Sequence, residues 1–402
     1  MTNIYSAIQV SDHVYWVGAI DWSIRDFHGY TTPHGSTYNA YLVMADKITL
    51  IDTVKAPFME EMLARIASVV DPSKIDYIVS NHSEQDHSGC LLEVIGRVGP
   101  EKVFASTVGV KTIHDIFHTD AKILPVKDGE TLSLGNMDLK FMETRMIHWP
   151  DSMFSYLEKD GLLFSQDAFG MHLATFERFA DALPTEMLEY EAATYYANIV
   201  LPYSPVVMKA LEKVMATGWA IKIFAPDHGP VWRKDLGFII DLYKKWAGQK
   251  PTNKAVVVYA TMWHSTEIMA RAIAESMARE GVCVKLLSMN DVHRSEVVYE
   301  VLEAGALLVG SPTLNNNILP QMADVMTYLK GLKPANLIGA AFGSFGWSGE
   351  SVKDLEAILK EMKVEIVADP VSTKHVPGVD VLEKCIELGK TVAAELKKRI
   401  TT

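Results

Sequence analysis

One short segment of the chain holds two imidazoles and two carboxylates within six residues. It follows the apolar run IDYIVS and reads His82-Ser-Glu84-Gln-Asp86-His87-Ser-Gly89. Because the apolar run predicts a strand, the cluster is expected at the carboxyl edge of a sheet, with His82 and Glu84 on one face and Asp86 and His87 entering the next helix. The segment suits a metal site, and a solvated polar loop with a helix cap is the alternative when it is taken alone.

Three further metal-binding side chains follow predicted strands later in the chain. His148 lies in TRMIHWPDSM, Asp167 ends LLFSQD and His228 ends IKIFAPDHG. Taken singly, each suits a structural role: an exposed histidine, a helix-capping aspartate, a turn before glycine. In this order and spacing, the seven residues together resemble the metallo-β-lactamase superfamily, whose zinc hydrolases usually carry His-x-His-x-Asp-His.

Glu84 departs from the superfamily pattern, because it stands where those hydrolases have their second histidine. A set of four histidines and three carboxylates suits non-haem iron, and zinc is not excluded on affinity grounds. Two ferrous ions would be balanced by the three carboxylates and a bridging hydroxide, and near neutrality matters for a buried cluster. Asp227, beside His228, either orients an imidazole by hydrogen bonding or caps a turn.

A second group of loops, rich in hydroxyls and glycine, lies beyond residue 250. The predicted strand AVVVYA leads into Thr261–Thr266, and hydroxyls and free amides at the following helix N-terminus predict a phosphate site. The loop lacks GxxxxGK[ST] and GxGxxG, so a nucleoside triphosphate or a dinucleotide is less favoured, and a plain helix cap is the alternative for this loop alone. Two loops after later strands complete the three positions that surround FMN in flavodoxins. The predicted FMN-binding residues are Thr261, Met262, Trp263, His264, Ser265, Thr266, Ser311, Pro312, Thr313, Asn315, Asn316, Gly343, Ser344, Phe345, Gly346, Trp347, Ser348 and Gly349.

The elements around these loops follow two different patterns. After the polar stretch Ala247–Lys254, the strand-like runs AVVVYA, VCVKLL, GALLVG, LIGAAFG and VEIVAD alternate with amphipathic helices. This order predicts a doubly wound, parallel, five-stranded sheet, which binds ligands beyond the carboxyl ends of its strands. Before the stretch, short strands with fewer helices predict an α/β sandwich. We therefore predict two domains, residues 1–250 and 251–402.

Composition narrows the class of protein. The chain has 402 residues, of which 49% are hydrophobic, enough for two domain cores. The net charge of −12 and the lack of a basic block argue against a nucleic-acid partner. No apolar run of about 18 residues predicts a membrane span, and the N-terminus lacks the features of a signal peptide. Three scattered cysteines, Cys90, Cys283 and Cys385, predict no disulfide framework and no iron–sulfur or rubredoxin-type iron site, and we expect a cytoplasmic protein.

The complete pattern, His-x-Glu-x-Asp-His-x-Gly with a later His, Asp and His, resembles the A-type flavodiiron proteins. The phrases GAIDWSIRDFHGYTT, YYANIVLPY and FGSFGWSGES carry the resemblance across essentially the whole chain. It implies a metallo-β-lactamase-like αββα sandwich followed by a flavodoxin-like domain. It also implies that Asp167 bridges two irons, and that in some relatives the residue at the position of His87 turns away from the metal. The implied ligands are His82, Glu84 and His148 for one iron and Asp86, His87 and His228 for the other.

The function implied by this resemblance is the reduction of dioxygen to water. The reaction takes four electrons, of which a diferrous pair and a reduced FMN supply two each. Rubredoxin would deliver electrons to FMN, and a head-to-tail homodimer would place one subunit's FMN beside the diiron site of the other.

Three alternatives remain open. Some relatives reduce nitric oxide to nitrous oxide at the same site, and the motifs do not separate the two gases. A dizinc hydrolase carrying a flavodoxin domain is a second alternative, against which Glu84 argues. A non-enzymatic electron carrier would need only FMN and would leave the seven metal ligands unexplained.

Overall fold

The computed structural model describes residues 4–401, which fall into two compact units. The first unit comprises the chain up to Phe27, Thr32–Tyr195 and Pro205–Lys244. The second comprises His28–Thr31, Tyr196–Ser204 and the chain from Lys245 onward. Two short segments from the first 245 residues are thus grouped with the second unit, and a division into residues 1–250 and 251–402 stays a prediction. No helix among the described residues combines the length and the apolar character that a membrane span requires.

Two large sheets and a small two-stranded sheet form the first unit. In chain order, the strands before residue 245 are β1 (Ile8–Gln9), β2 (Val14–Trp16), β3 (Ala19–Asp21), β4 (Asp26–Phe27), β5 (Tyr30–Thr31), β6 (Ser36–Tyr38), β7 (Tyr41–Val43), β8 (Thr49–Ile51), β9 (Tyr77–Ser80), β10 (Lys102–Ser106), β11 (Ile123–Val126), β12 (Thr131–Ser133), β13 (Asp138–Glu143), β14 (Met153–Leu157), β15 (Leu162–Gln166) and β16 (Ile223–Pro226). One large sheet has the order β1-β2-β7-β8-β9-β10-β11, the other has the order β12-β13-β14-β15-β16, and the small sheet is β3-β6. The strands β8 to β11 are parallel, as are β15 and β16.

Seven α-helices lie in the described chain before residue 250. They are α1 (Met59–Ala67), α2 (Gln85–Ser88), α3 (Leu91–Val98), α4 (Thr107–Phe117), α5 (Thr185–Tyr195), α6 (Ser204–Ala216) and α7 (Leu236–Gly248).

The packing in the first unit follows from the alternation of side chains along each strand. Tyr41 and Val43 of β7 join the core between the two sheets, together with Phe164 of β15. Leu42, which points the other way, joins the core beneath α1, α3 and α4. On the outer face of the second sheet, Leu211 of α6 lies close to β14. The predicted sandwich of two sheets between helical layers is confirmed.

A single parallel sheet organises the second unit. Its strands are β17 (Lys254–Tyr259), β18 (Cys283–Ser288), β19 (Ala306–Leu314), β20 (Asn317–Ile318), β21 (Ile338–Phe345), β22 (Glu365–Ile366) and β23 (Val371–Lys374). Its helices are α8 (Ser265–Arg279), α9 (Arg294–Val301), α10 (Pro320–Leu332), α11 (Glu350–Glu361) and α12 (Val379–Ile400). The strand order is β18-β17-β19-β21-β22, all parallel. The strand order runs from β17 to one side and then to the other, which confirms the predicted doubly wound fold. The helices α8 and α12 share one face of the sheet.

The fifth strand of this sheet differs from its predicted position. The run VEIVAD predicts one strand over residues 364–369, but only Glu365–Ile366 pairs with β21 there. The chain then breaks around Pro370 and pairs with β21 again along β23. Proline has no N–H to donate and restricts the residue before it, which accounts for the interruption.

Candidate metal centre and flavin site

The loop between β9 and α2 places four predicted ligands inside the first unit. His82 and His87 are each 1% exposed, and Glu84 and Asp86 are nearly as buried. β9 is a parallel strand, so the loop leaves the sheet at its carboxyl edge. Burial of four polar side chains in one loop requires partners for them, because isolated buried charge is costly.

Hydrogen bonds between buried groups hold the backbone of this loop in place. The Asn81 backbone N–H donates to one carboxylate oxygen of Asp52 over 2.6 Å, and its side-chain amide donates to the other over 2.7 Å. The Ser83 hydroxyl donates to the carboxylate of Asp151. The Thr53 hydroxyl donates to the carbonyl oxygen of residue 87 over 2.6 Å. A satisfied buried network of this kind rigidifies the loop that presents the donors.

The other three predicted ligands arrive from the second sheet. β15 and β16 are adjacent and parallel, so Asp167 and His228, just beyond their ends, meet at one edge. His148 lies on the turn between β13 and β14, and its side chain is 12% exposed. The structure therefore brings all seven predicted side chains to one place.

The carboxylate of Asp167 lies at the centre of the cluster. Its Oδ2 atom is 2.8 Å from His148 Nε2 and 3.4 Å from His82 Nε2. Glu84 Oε2 is 2.9 Å from the same nitrogen of His148. One group of donors therefore faces the Oδ2 side of Asp167.

The other oxygen of Asp167 faces a second group. Oδ1 is 3.6 Å from His228 Nε2 and 3.7 Å from His87 Nε2. Asp86 Oδ2 lies 3.2 Å and 3.5 Å from the same two nitrogens, which are 3.0 Å apart. Two donor groups that share one carboxylate are the arrangement required to bridge two metal ions.

Many of these donor atoms make no hydrogen bond to another described residue. They include both ring nitrogens of His82, Nε2 of His148, and both carboxylate oxygens of Asp86 and Asp167. An unsatisfied buried polar atom costs about 1–3 kcal/mol, so such a concentration calls for an explanation. Three overlapping groups of these side chains have ligand atoms within 4.8 Å of one another. Bound metal ions would satisfy these atoms, and the donor set therefore fits a metal centre.

The carboxylates also change the proton affinity of two imidazoles. Burial alone would lower the pKa of His228, but Asp86 and Asp167 outweigh it and raise that pKa to about 9. At His148 burial is likewise outweighed, and Asp167 and Glu84 raise the pKa to about 9. Because a metal ion binds the neutral imidazole, metal binding at these positions displaces protons.

Asp227 belongs to the same buried cluster. Its Oδ2 atom is 3.3 Å from Nδ1 of His82 and 3.9 Å from Nδ1 of His87, and its side chain is fully buried. Between the two roles left open by the sequence, this geometry favours the orientation of an imidazole whose other nitrogen faces the centre.

His172 is a buried neighbour that the sequence reasoning missed. Its ring centroid is 4.4 Å from that of His228, and its Nδ1 is 2.6 Å from the Ser36 hydroxyl oxygen. Burial, reinforced by the nearby His228, lowers the pKa of His172 well below its usual range. The residue follows Asp167 in a segment without regular secondary structure, so no strand end pointed to it.

In the second unit, the three predicted flavin loops line one cavity of about 230 Å³. They lie at the carboxyl ends of β17, β19 and β21, which are adjacent in the sheet. Where the sequence predicted loops, the lining residues Pro312 and Thr313 are still part of β19, and Ser344 and Phe345 are still part of β21. Two lining residues were not predicted, His375 and Val376, which follow β23. The full lining is Thr261, Met262, Trp263, Ser265, Pro312, Thr313, Ser344, Phe345, Gly346, His375 and Val376.

The other predicted flavin residues lie on the same loops without lining this cavity. Trp347, like Trp263, leaves its indole almost fully exposed and available for stacking. The hydroxyls of Thr266 and Ser344 are 3.0 Å apart, which ties the first loop to the third. The predicted residues outside the lining are His264, Thr266, Ser311, Asn315, Asn316, Gly343, Trp347, Ser348 and Gly349.

Packing between two strands explains the glycine at position 343, an explanation that the sequence analysis did not give. A Cβ atom at this position would lie 2.2 Å from the Ser311 carbonyl oxygen on the neighbouring strand. Glycine is therefore needed for the close approach of β19 and β21, independently of a flavin ring.

Two known families match the two parts of the chain that carry the metal-binding and flavin-binding motifs. Residues 37–229 match the family described as ODP family beta lactamase, and residues 257–389 match the flavodoxin family. The first match contains all seven predicted metal ligands, and the second contains the three predicted flavin loops.

Full-length relatives share both halves of the chain. The rubredoxin-oxygen oxidoreductase of Megalodesulfovibrio gigas is 49% identical over 98% of this chain and 99% of its own length. The nitric oxide reductase of Moorella thermoacetica is 44% identical over 97% and 98%. Among solved structures, the flavodiiron protein from Giardia intestinalis has a TM-score of 0.93 at 33% identity, over 98% of each chain. The rubredoxin oxygen:oxidoreductase of Desulfovibrio gigas has a TM-score of 0.97 at 48% identity, over 99% of this chain and 100% of that one. With these relatives, the chain belongs to the flavodiiron proteins.

Proposed function

We propose that this flavodiiron oxidoreductase reduces dioxygen to water at its metal centre, with electrons that pass from rubredoxin through FMN. The observation that carries the proposal is the position of Asp167, whose two carboxylate oxygens face two separate donor groups. When bound, the iron pair would supply electrons to a diatomic molecule, and FMN would supply the electrons that restore the pair.

The proposed ligand assignment follows the two sides of Asp167. The Oδ2 side would hold one iron and the Oδ1 side the other, with Asp167 shared. Support comes from the distances between each group and its own carboxylate oxygen. The proposed ligands are His82, Glu84 and His148 on one side and Asp86, His87 and His228 on the other.

The protein's own contribution to this chemistry is to position the donors and to keep the site dry. The Thr37 carbonyl oxygen accepts a hydrogen bond from His228 Nδ1 over 2.6 Å, which leaves Nε2 for the centre. The Asp227 carboxylate lies 3.3 Å from His82 Nδ1, where its negative charge favours a proton on that nitrogen and leaves Nε2 for the centre. Because the donors are almost fully buried, charge that develops among them acts at low dielectric.

The flavin site and the domain limits are part of the same proposal. We assign FMN to the cavity formed by the loops after β17, β19 and β21, which is supported by the flavodoxin match over residues 257–389. We assign residues 1–250 to the diiron domain and 251–402 to the flavin domain. The grouping of the chain from Lys245 onward into one unit supports that division.

The electron donor and the assembly are further parts of the proposal. Rubredoxin is proposed as the donor because the relative from Megalodesulfovibrio gigas is named for it. The three cysteines are free and far apart in sequence, so a separate donor protein agrees with the composition. We also propose a cytoplasmic location and a head-to-tail homodimer, in which a second copy would cover the exposed Trp263 and Trp347.

Nitric oxide is the second candidate substrate. It is favoured by the name of the relative from Moorella thermoacetica, at 44% identity. Steady-state rates with each gas and one electron donor distinguish the two candidates, and a much higher turnover with nitric oxide would make it the preferred substrate in place of dioxygen.

The metal content and one substitution test the proposal. We expect close to two irons and one FMN per chain, and we expect His148→Asn to abolish gas reduction while FMN is still reduced by the donor. His118→Asn serves as a control, because His118 ends α4 in a left-handed conformation that asparagine also adopts. Two zinc ions in the active protein, or unchanged turnover in His148→Asn, would contradict the diiron assignment.

A further inference from the structure

The flavin cavity has a fourth wall at the carboxyl end of β23. β23 runs parallel to β21, with Lys374 opposite Phe345. The next residue, His375, donates its backbone N–H to the Phe345 carbonyl oxygen over 2.8 Å. Its φ of 64° lies in the left-handed region, so the strand ends here and the chain turns. His375 and Val376 then line the cavity with Ser265, the first residue of α8.

His375 is the only lining residue whose side chain can carry a positive charge. The other lining residues provide hydroxyls, apolar side chains, a proline and a glycine, with neither lysine nor arginine among them. A phosphate monoester carries a charge of about −1.5 to −2 at neutral pH. The N-terminus of α8 offers free N–H groups and a partial charge of roughly +0.5, which leaves most of the phosphate charge unbalanced.

The other histidine near the phosphate loop has a different partner. His264 Nδ1 is 2.8 Å from Glu267 Oε2, and Glu267 also accepts a hydrogen bond from Arg271 over 2.9 Å. Both histidines are exposed residues, but His375 lines the cavity and His264 does not. A histidine already paired with a carboxylate adds little positive charge for a phosphate, so the counter-charge falls to His375.

We propose that His375 binds the phosphate group of FMN by donating an imidazole N–H to a phosphate oxygen. The site would then select FMN over riboflavin, which has the same ring system and ribityl chain but no phosphate. This inference rests on the flavin site proposed above and adds a fourth loop to it.

Flavin titrations of the full-length chain test this role. The protein is freed of FMN with its metals retained, and FMN or riboflavin is added while flavin fluorescence is followed. In His375→Asn we expect the Kd for FMN to rise about tenfold, as for the loss of a charged hydrogen bond, with the Kd for riboflavin changed by less than about twofold. His375→Arg should restore the preference for FMN.

Lys374→Asn is the matched control, since it removes a positive charge one residue away on an exposed side chain. Both Kd values should stay within about twofold of the parent in this variant. Circular dichroism and metal content verify the fold, and His375→Gln provides a second variant. An equal loss for both flavins, or no loss for either, overturns the phosphate role of His375. A parent protein that binds no FMN would instead contradict the flavin site itself.

Discussion

At the residue scale, the position of Asp167 determines whether the buried cluster suits one metal ion or two. A carboxylate that faced one donor group would suit a single metal ion, whereas its two oxygens here face different groups. The neighbouring imidazoles have polar groups beside their second nitrogens. His228 Nδ1 donates to the Thr37 carbonyl oxygen, and Asp227 Oδ2 lies 3.3 Å from His82 Nδ1. We therefore expect the chemistry of the site to depend also on residues outside the seven proposed ligands.

Asp227→Asn tests that dependence. The amide keeps the size of the side chain but loses the negative charge beside His82 Nδ1, so we expect the affinity for iron to fall about 10- to 100-fold. Competition with a chelator measures the change. Asp235→Asn is the control at an exposed aspartate, and an unchanged affinity in Asp227→Asn would assign Asp227 to the turn alone.

Iron uptake by the metal-free chain should depend on pH. His148 and His228 have pKa values raised to about 9, so both are protonated at neutral pH and must lose a proton to bind metal. Affinity should therefore rise as the pH increases from 7 to 9, and level off above that, by up to about tenfold per pH unit for each displaced proton. Chelator competition at several pH values, with a count of released protons, checks the slope. A flat profile would show that these imidazoles are neutral before metal arrives.

At the element scale, the ends of parallel strands determine where the functional side chains lie. Apolar runs that end in polar residues are readable in the sequence. They made it possible to predict that seven candidate ligands would meet at one place and that three segments would line one cavity. The end of the last strand could not be predicted in this way. The sequence placed it at residue 369, but the chain breaks near Pro370 and pairs again up to Lys374. His375 was missed for that reason. The positions of Asp227 beside His82 and of His172 beside His228 depend on distances across the fold, which spacing along the chain does not contain.

Gly343→Ala tests the contact between two of these strands. The added Cβ would meet the Ser311 carbonyl oxygen, which is backbone and cannot swing away. We expect a loss of about 1–3 kcal/mol in the free energy of unfolding, measured by denaturant titration with the flavin signal as the probe. Gly331→Ala, at an α10 position with no atom within 4 Å of the new Cβ, should be neutral or stabilising by up to about 1 kcal/mol. Equal behaviour of the two variants would argue against the close approach.

At the scale of the whole molecule, each unit has its own core and its own cofactor site. The core between the two sheets belongs to the first unit, and the core beneath α8 and α12 belongs to the second. Each ligand therefore stabilises the unit to which it binds, in proportion to the logarithm of its free concentration over its Kd.

Calorimetry of three forms of the protein tests this independence. Removal of iron by a chelator should lower the melting transition of the first unit, and removal of FMN should lower that of the second. For a ligand present at about 100 times its Kd, the expected stabilisation is about 2.7 kcal/mol. A single transition that shifts equally on either treatment would mean that the two units melt together.

The burial of the proposed metal ligands also affects when the protein can acquire its metal ions. Nitrogen and oxygen donors do not distinguish iron from zinc by affinity alone. Since His82, Asp167 and His228 are each about 1% exposed, we expect an ion inside the folded chain to exchange slowly unless the surrounding structure opens. The identity of the metal is then set by what the cell supplies while the chain folds. Growth on zinc-rich, iron-poor medium should yield a well-folded enzyme that later addition of iron revives only slowly.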